Sequence, residues 1–128
     1  MLNFFERHKK ISVYFPLITY WLLLIIATSI PSNDIPNLKL NDKIEHLLAY
    51  FILGFLFNLM VLVQNKFIYF KERAFTTTII LLGIYALIDE LHQLFIPGRD
   101  CSFFDWSADI IGVFFGVFTI NFLLKKLI

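Results

Sequence analysis

The chain has 128 residues, of which 59% are hydrophobic and 16% are charged, and its formal net charge at pH 7 is +1. Soluble domains carry about 25% charged residues, so this composition cannot cover a water-exposed surface. The hydrophobic fraction also excludes intrinsic disorder, and the near-neutral charge excludes a basic nucleic-acid-binding protein. The single cysteine, Cys101, excludes an internal disulfide. We therefore expect one integral membrane domain that comprises residues 1–128.

Uninterrupted apolar stretches mark the first two membrane spans. Ile11 to Asn33 and Leu47 to Asn65 contain no charged residue, and each reaches the roughly 20 residues that a spanning helix needs. The first stretch loosely resembles a secretory signal, but its apolar run is long for a signal and we expect it to remain as a helix. We also expect Pro16 to kink this helix or to lie near its start.

The third and fourth spans need acidic residues to reach full length. Ala74 to Ile88 and Ile110 to Leu124 are each about 15 residues without charge, which is about 22 Å of helix for a hydrocarbon core of about 30 Å. They span the membrane only if they continue through Asp89 and Glu90 in one helix and Asp109 in the other. The sequence therefore predicts four transmembrane helices, over about residues 11–30, 44–64, 74–96 and 102–124.

The distribution of basic residues predicts the orientation of these spans. Eight of the eleven Lys and Arg residues lie in the N-terminal tail, in the connection between the second and third spans, or at the C-terminus. The other two loops contain only Lys39, Lys43 and Arg99. The positive-inside rule therefore predicts an all-α, four-helix polytopic bundle with both termini in the cytoplasm. Most of the acidic residues then lie outside or in the outer half of a span.

The second and third spans each carry a polar face at the outer end. In the second span, His46, Tyr50 and Gly54 recur every four residues, and Asp42 and Lys43 lie one turn further out. In the third span, one side of the helix carries a polar arc of about 100°, formed by Asp89, Glu90 and Gln93.

The fourth span combines polar and small residues. Within about 60° of one another lie Asp105, Asp109, Gly112 and Gly116. The two glycines form a Gly-x-x-x-Gly pattern, which lets a neighbouring helix approach closely. We expect Gly54, Gly112 and Gly116 to serve helix packing.

The three polar faces are expected to face one another. A charged side chain near the middle of the membrane costs about 2.5–3.5 kcal/mol, so contact with lipid is unfavourable. The sequence therefore predicts a polar pocket open to the outer leaflet. The predicted binding residues are Asp42, Lys43, His46, Tyr50, Asp89, Glu90, Gln93, Arg99, Asp105 and Asp109.

The roles of the acidic and imidazole groups stay open at this point. His46, Glu90 and Asp89 are the catalytic candidates, but His46 also suits a hydrogen bond that locks two helices, and the acids could be solvated at the interface. A metal held by His46 and carboxylates is conceivable, yet no contiguous motif such as HExxH occurs. We therefore predict neither a metal nor a cofactor.

Two cations and a tyrosine also have alternative roles. Lys43 and Arg99 could meet an anionic headgroup at the rim of the pocket, or they could pair with neighbouring carboxylates such as Asp105. Tyr50 is typical of an aromatic residue that packs between helices, and its hydroxyl could also orient a ligand.

The order and spacing of these residues resemble VanZ-like membrane proteins. The resemblance extends from about Phe15 to Phe118 and rests on three motifs: Asp42-Lys43-x-x-His46-x-x-x-Tyr50, Asp89-Glu90-x-x-Gln93-x-x-x-Pro97-Gly98-Arg99 and Asp105-x-x-x-Asp109-x-x-Gly112-x-x-x-Gly116. Family members often carry Asn at the position of Asp109. The resemblance implies a small four-helix protein of the bacterial cytoplasmic membrane, related to an accessory factor in glycopeptide (teicoplanin) resistance. It implies no established reaction.

Three classes of function fit these features. The first is a protein that binds or modifies a membrane lipid or lipid-linked envelope precursor in the pocket. The second is an enzyme that acts on a lipid phosphate or headgroup, and the third is a small proton- or solute-transport subunit. The sequence predicts no nucleic-acid partner and leaves self-association open.

Overall fold

The computed structural model describes residues 1–34 and 41–126, and these residues form only helices and turns. Lys39, which the orientation rule assigns to an outer loop, lies outside the described residues. The helices that are long and apolar enough to cross a membrane are Lys10–Ser29, Asp42–Val63, Ala74–Gln93 and Phe103–Lys126. The prediction of an all-α protein with four spans is therefore confirmed, whereas the orientation of the termini stays a prediction.

The elements follow one another without long excursions. The short helix α1 (Leu2–Arg7) precedes the first span, which begins with a π-helical turn (Lys10–Tyr14) and continues as α2 (Phe15–Ser29). The next elements are α3 (Asp42–Val63), the short α4 (Ile68–Glu72), α5 (Ala74–Gln93) and α6 (Phe103–Lys126). Pro16 lies at the start of α2, directly after the π-helical turn, where its missing N–H removes one regular helical hydrogen bond.

Helices α3 and α6 form the closest pair in the bundle. A Cβ atom added at Gly54 would lie 2.8 Å from the Cα atom of Val113, and one added at Gly116 would lie 2.8 Å from the backbone nitrogen of Phe55. Gly112 likewise faces the α3 backbone. Since no larger side chain fits, all three glycines selected from the sequence lie where the two helix backbones touch.

The first span packs more loosely than the other three. Only Val13, Leu17 and Leu24 are buried along it, while neighbours such as Leu23 are exposed on the side that lipid would cover. The Tyr20 hydroxyl joins the middle of this span to the bundle by donating to the carbonyl of Ala49 at 2.8 Å. The loose packing leaves room beside α2 for a cavity.

The third helix ends earlier than the sequence suggests. We expect the third span to reach residue 96, but α5 ends at Gln93 and a tight turn follows. Pro97 disfavours a helical residue before it, and Gly98 has a φ of 75°, which glycine adopts readily. The turn lies against the end of the first span, where the Ser32 amide donates to the Pro97 carbonyl at 3.3 Å.

A second polar cluster joins the same helices in the half of the bundle near the short helix α4. The Asn58 side chain donates to the carbonyl of Ala74 and to the hydroxyl of Thr78, both at 2.9 Å, and it accepts from Asn121 at 2.8 Å. Asn58 and Thr78 are fully buried. Their hydrogen bonds therefore link α3, α5 and α6 across the apolar interior.

Candidate functional site

The polar faces of α3, α5 and α6 meet at the opposite end of the bundle. Each face follows from helical spacing, because residues four apart lie one turn above each other on the same side. Asp89, Glu90 and Gln93 lie in the last turn of α5, and Asp105 and Asp109 lie in the first two turns of α6. All five side chains are buried. The structure thus brings charged and polar side chains from separate helices into one interior cluster.

A buried hydrogen bond joins Tyr50 on α3 to Asp89 on α5. The Tyr50 hydroxyl donates to Asp89 Oδ2 at 2.9 Å, and both side chains are buried. A carboxylate removed from water needs such a donor, because burial without a partner is costly. This contact fixes the separation of the two helices at the level of the cluster.

His46, Glu90 and Asp109 form the centre of the cluster. His46 Nδ1 lies 2.8 Å from Asp109 Oδ1 and 3.6 Å from Glu90 Oε1. The side chain of His46 is 10% exposed, whereas those of Glu90 and Asp109 are 1% and 0% exposed. Helices α3, α5 and α6 therefore each contribute one ionisable group, and these groups lie within a few ångströms of one another.

Three polar atoms of this cluster lack a partner. Glu90 Oε2 accepts from the Ser102 amide at 3.0 Å, but Glu90 Oε1 has no hydrogen bond within residues 1–34 and 41–126. The same holds for Asp109 Oδ2 and Gln93 Nε2. Buried polar groups are nearly always satisfied, so these three atoms distinguish this cluster from an ordinary packing contact.

The two cations at the rim are already engaged. The Lys43 ammonium contacts Asp105 and lies 3.7 Å from Asp42. The Arg99 guanidinium donates to the carbonyls of Ala27 at 3.1 Å and Ile30 at 3.3 Å, at the end of the first span. Lys43 thus takes the alternative of pairing with carboxylates, and Arg99 bonds to backbone oxygens.

A cavity of about 320 Å³ lies between α2, α3 and α5, next to the cluster. Six of the ten predicted binding residues line it, namely Asp42, His46, Tyr50, Asp89, Gln93 and Arg99. The other four do not line it. Glu90, Asp105 and Asp109 are buried among α3, α5 and α6, whereas Lys43 is exposed at the rim, where its ammonium contacts Asp105. The predicted pocket is therefore divided into an open cavity and an interior cluster, and His46 belongs to both.

Sequence reasoning missed part of the cavity wall. The missed residues are Leu24, Ala27, Thr28, Ile30, Glu45 and Ala49. Most of them are ordinary apolar residues of a membrane helix, and no sequence signal marks their position. Glu45 is different, since an acid directly beside His46 could have been included from its position alone.

Another depression, of about 640 Å³, lies at the N-terminal helix α1 and is not a candidate site. All of its lining residues belong to or adjoin this one short helix, namely Asn3, Phe4, Glu6, Arg7 and His8. A space bounded by one helix is an open surface, whereas the smaller cavity is enclosed by three elements and carries the polar groups.

Among the residues that the structure describes, two sets of side chains could hold a metal ion. One consists of His46, Glu90 and Asp109, and the other of Asp42, His46 and Asp105, with ligand atoms within 4.8 Å of one another in each set. In the second set, Asp105 already forms an ion pair with the Lys43 ammonium. The first set is therefore better suited to a cation.

Four apolar spans with a polar cluster at one end define a multi-pass membrane protein. The VanZ/LLP1 family model matches residues 3–124, which is nearly the whole chain. The chain therefore belongs to the VanZ/LLP1 family, and the resemblance seen in the sequence is confirmed. A comparison with curated proteins and with solved structures finds no significant match.

Proposed function

We propose that the protein binds a lipid-linked saccharide of the bacterial cell envelope in the cavity, at the outer leaflet of the cytoplasmic membrane. By binding this precursor, the protein would change the susceptibility of the cell to glycopeptides of the teicoplanin type. The observation that carries the proposal is the two-sided wall of the cavity. It is mainly apolar on α2, where Thr28 is the polar exception, and mainly polar on α3 and α5. Such a wall matches a molecule with a lipid chain at one end and a polar headgroup at the other.

The apolar side supports the lipid part of the proposal. Leu24 and Ala27 of the first span line the cavity together with Ile30 directly after it, and Ala49 lines it from α3. The outer face of the same span is exposed and apolar. An acyl or prenyl chain can therefore follow α2 from the bilayer to the cavity without crossing a polar surface.

The polar side supports a saccharide headgroup. Asp42, Glu45 and Asp89 supply carboxylate oxygens, which accept hydrogen bonds from sugar hydroxyls. Arg99 stands at the rim, where its guanidinium suits the phosphate that joins a sugar to its lipid. The volume of about 320 Å³ is at the low end of ligand pockets, which span about 300–1,000 Å³. We therefore expect the cavity to enclose only the sugar nearest to the lipid.

The test is a binding measurement with a blocked cavity. The probe is a polyprenyl-pyrophosphate-linked N-acetylhexosamine, added to the purified protein in detergent and detected by native mass spectrometry. Leu24→Trp places a bulky side chain in the cavity wall, and we expect it to weaken probe binding at least tenfold. Leu23→Trp is the matched control, because Leu23 is 59% exposed on the lipid side.

Equal binding by the wild type, Leu24→Trp and Leu23→Trp would contradict the proposal. Free polyprenol serves as a second control, since it has the lipid chain without the sugar phosphate. The same variants, expressed in a teicoplanin-sensitive host, test the link to susceptibility: only Leu24→Trp should lose an effect that the wild type produces.

One observation favours a second function, that of an enzyme acting on the same lipid. Asp109 lies 2.8 Å from His46 Nδ1, and the ring of His46 lines the cavity. A carboxylate on one ring nitrogen orients the imidazole so that the other can exchange a proton with a substrate. Turnover of the probe by the wild type, lost in His46→Ala with probe binding retained, would support this function.

A transport function has no comparable support. A layer of buried apolar side chains separates the interior cluster from the hydrogen-bonded cluster around Asn58. This layer consists of Leu53 on α3, Leu82 on α5 and Val113 on α6. A continuous polar path across the bundle would need to pass this layer.

A further inference from the structure

The centre of the interior cluster combines three possible ligand atoms with two unpaired carboxylate oxygens. His46 Nδ1, a Glu90 oxygen and an Asp109 oxygen lie within 4.8 Å of one another. Glu90 Oε1 and Asp109 Oδ2 are buried and have no hydrogen-bond partner among the described residues. An orphaned carboxylate oxygen in an apolar interior is costly, so this arrangement favours a bound cation over an empty cluster.

The charges around the cluster lead to the same conclusion. Asp89, Glu90 and Asp109 are three buried carboxyl groups, and His46 is the one basic side chain within the described ranges that contacts Glu90 and Asp109 directly. The nearby cations do not compensate for them, because the Lys43 ammonium contacts Asp105 and the Arg99 guanidinium contacts backbone carbonyls. A divalent ion would supply the missing positive charge and use the orphaned oxygens at once.

We propose that His46, Glu90 and Asp109 bind a divalent transition-metal ion at the junction of α3, α5 and α6. One imidazole nitrogen and two carboxylates form a borderline-to-hard ligand set, which suits Zn²⁺ and Mn²⁺. The site is independent of the proposed lipid ligand. Three protein ligands leave at least one coordination position for water, and His46 connects the ion to the cavity.

The distances are close to those that zinc requires. Zinc binds nitrogen and oxygen at about 2.0–2.2 Å, so tetrahedral ligand atoms lie about 3.3–3.6 Å apart. His46 Nδ1 and Glu90 Oε1 are 3.6 Å apart, which fits directly. His46 Nδ1 and Asp109 Oδ1 are 2.8 Å apart, so this pair must open by about half an ångström. A rotation of the Asp109 carboxylate would open this pair and offer the unpaired Oδ2 as the ligand atom.

The test is a metal titration of the full-length protein in detergent after treatment with a chelator. We expect the wild type to bind Zn²⁺ at one ion per chain, measured by calorimetry and elemental analysis. Glu90→Gln and Asp109→Asn keep the size of each side chain but weaken a ligand, and we expect each to lower the affinity at least tenfold. Asp42→Asn is the matched control, expected to stay within threefold of the wild type.

Three results would overturn the proposal. They are a wild type without stoichiometric Zn²⁺, ligand variants that bind like the wild type, and a loss of binding that follows Asp42→Asn. Circular dichroism checks that each variant keeps its helix content. Because the titration contains no lipid, its failure is separate from a failure of lipid binding.

A second measurement does not depend on changing the ligands. His8 and His92 are exposed, so His8→Gln and His92→Gln together leave His46 as the last imidazole in the chain. Pulsed electron paramagnetic resonance of this variant with one equivalent of Cu²⁺ should show coupling to imidazole nitrogen. A spectrum without such coupling would overturn the assignment of His46 as a ligand.

Discussion

The contact between Tyr50 and Asp89 is the simplest example of how individual residues build the site. Both side chains are buried, and each supplies what the other lacks, a donor for the carboxylate and an acceptor for the hydroxyl. Removing one member leaves the other buried without a partner, which costs more than the bond itself contributes.

We therefore expect Tyr50→Phe to destabilise the protein by about 1–3 kcal/mol. The measurement is denaturant unfolding in mixed micelles, followed by circular dichroism. Tyr69→Phe is the control, because the Tyr69 hydroxyl also has a hydrogen-bond partner, Arg73, but is exposed on α4. Its effect should stay below about 0.5 kcal/mol, and equal effects of both substitutions would show that the buried bond is not important.

At this scale the sequence predicts which side chains meet but not how each one pairs. Helical spacing brings His46 and Tyr50 onto one face and the α5 carboxylates opposite them, as the structure has them. The partners of Lys43 and Arg99 could not be chosen in advance. Both side chains are long and flexible, and their contacts depend on where the loops place neighbouring oxygens.

At the scale of the helices, the glycines of α6 decide how closely two spans approach. The pattern of Gly112 and Gly116 predicted a close contact, and the helix pairing with α3 is the tightest in the bundle. The position of α2 could not be predicted in the same way. Its sequence is apolar on all sides, so no pattern indicates which face packs inward.

We expect Gly116→Ala to destabilise the bundle by about 1–3 kcal/mol, because the added methyl group meets the backbone of α3. Gly83→Ala is a control of the same type in a neighbouring span. A Cβ atom at Gly83 has no neighbour within 4 Å outside its own helix, so that substitution should be neutral or slightly stabilising. A similar loss of stability in both variants would mean that close approach of α6 and α3 is not the cause.

The end of α5 shows a further limit of prediction at this scale. The length needed to cross a bilayer suggested a helix through residue 96, whereas the turn residues Pro97 and Gly98 stop it at Gln93. The 20 residues that remain still measure about 30 Å, because the helix includes both Asp89 and Glu90. Asp89 and Glu90 are therefore part of the span, as the sequence predicts from the length that a spanning helix needs.

At the scale of the whole molecule, the two halves of the bundle differ in how their polar groups are satisfied. The Asn58 cluster is joined by hydrogen bonds from three helices, which is sufficient for a structural contact. The cluster at the other end keeps unpaired oxygens and adjoins a cavity. This asymmetry is the reason to assign function to one end of the protein and packing to the other.

The proposed function requires the end with the cavity to face the outside of the cell, and Cys101 allows a direct measurement. It is exposed, lies beside Ser102 at the cluster, and is the single cysteine of the chain. A membrane-impermeant maleimide applied to intact cells should label Cys101, whereas Asn65→Cys in a Cys101→Ser background should react only after permeabilisation. Labelling of Cys101 only in permeabilised cells, with Asn65→Cys accessible from outside, would contradict the account.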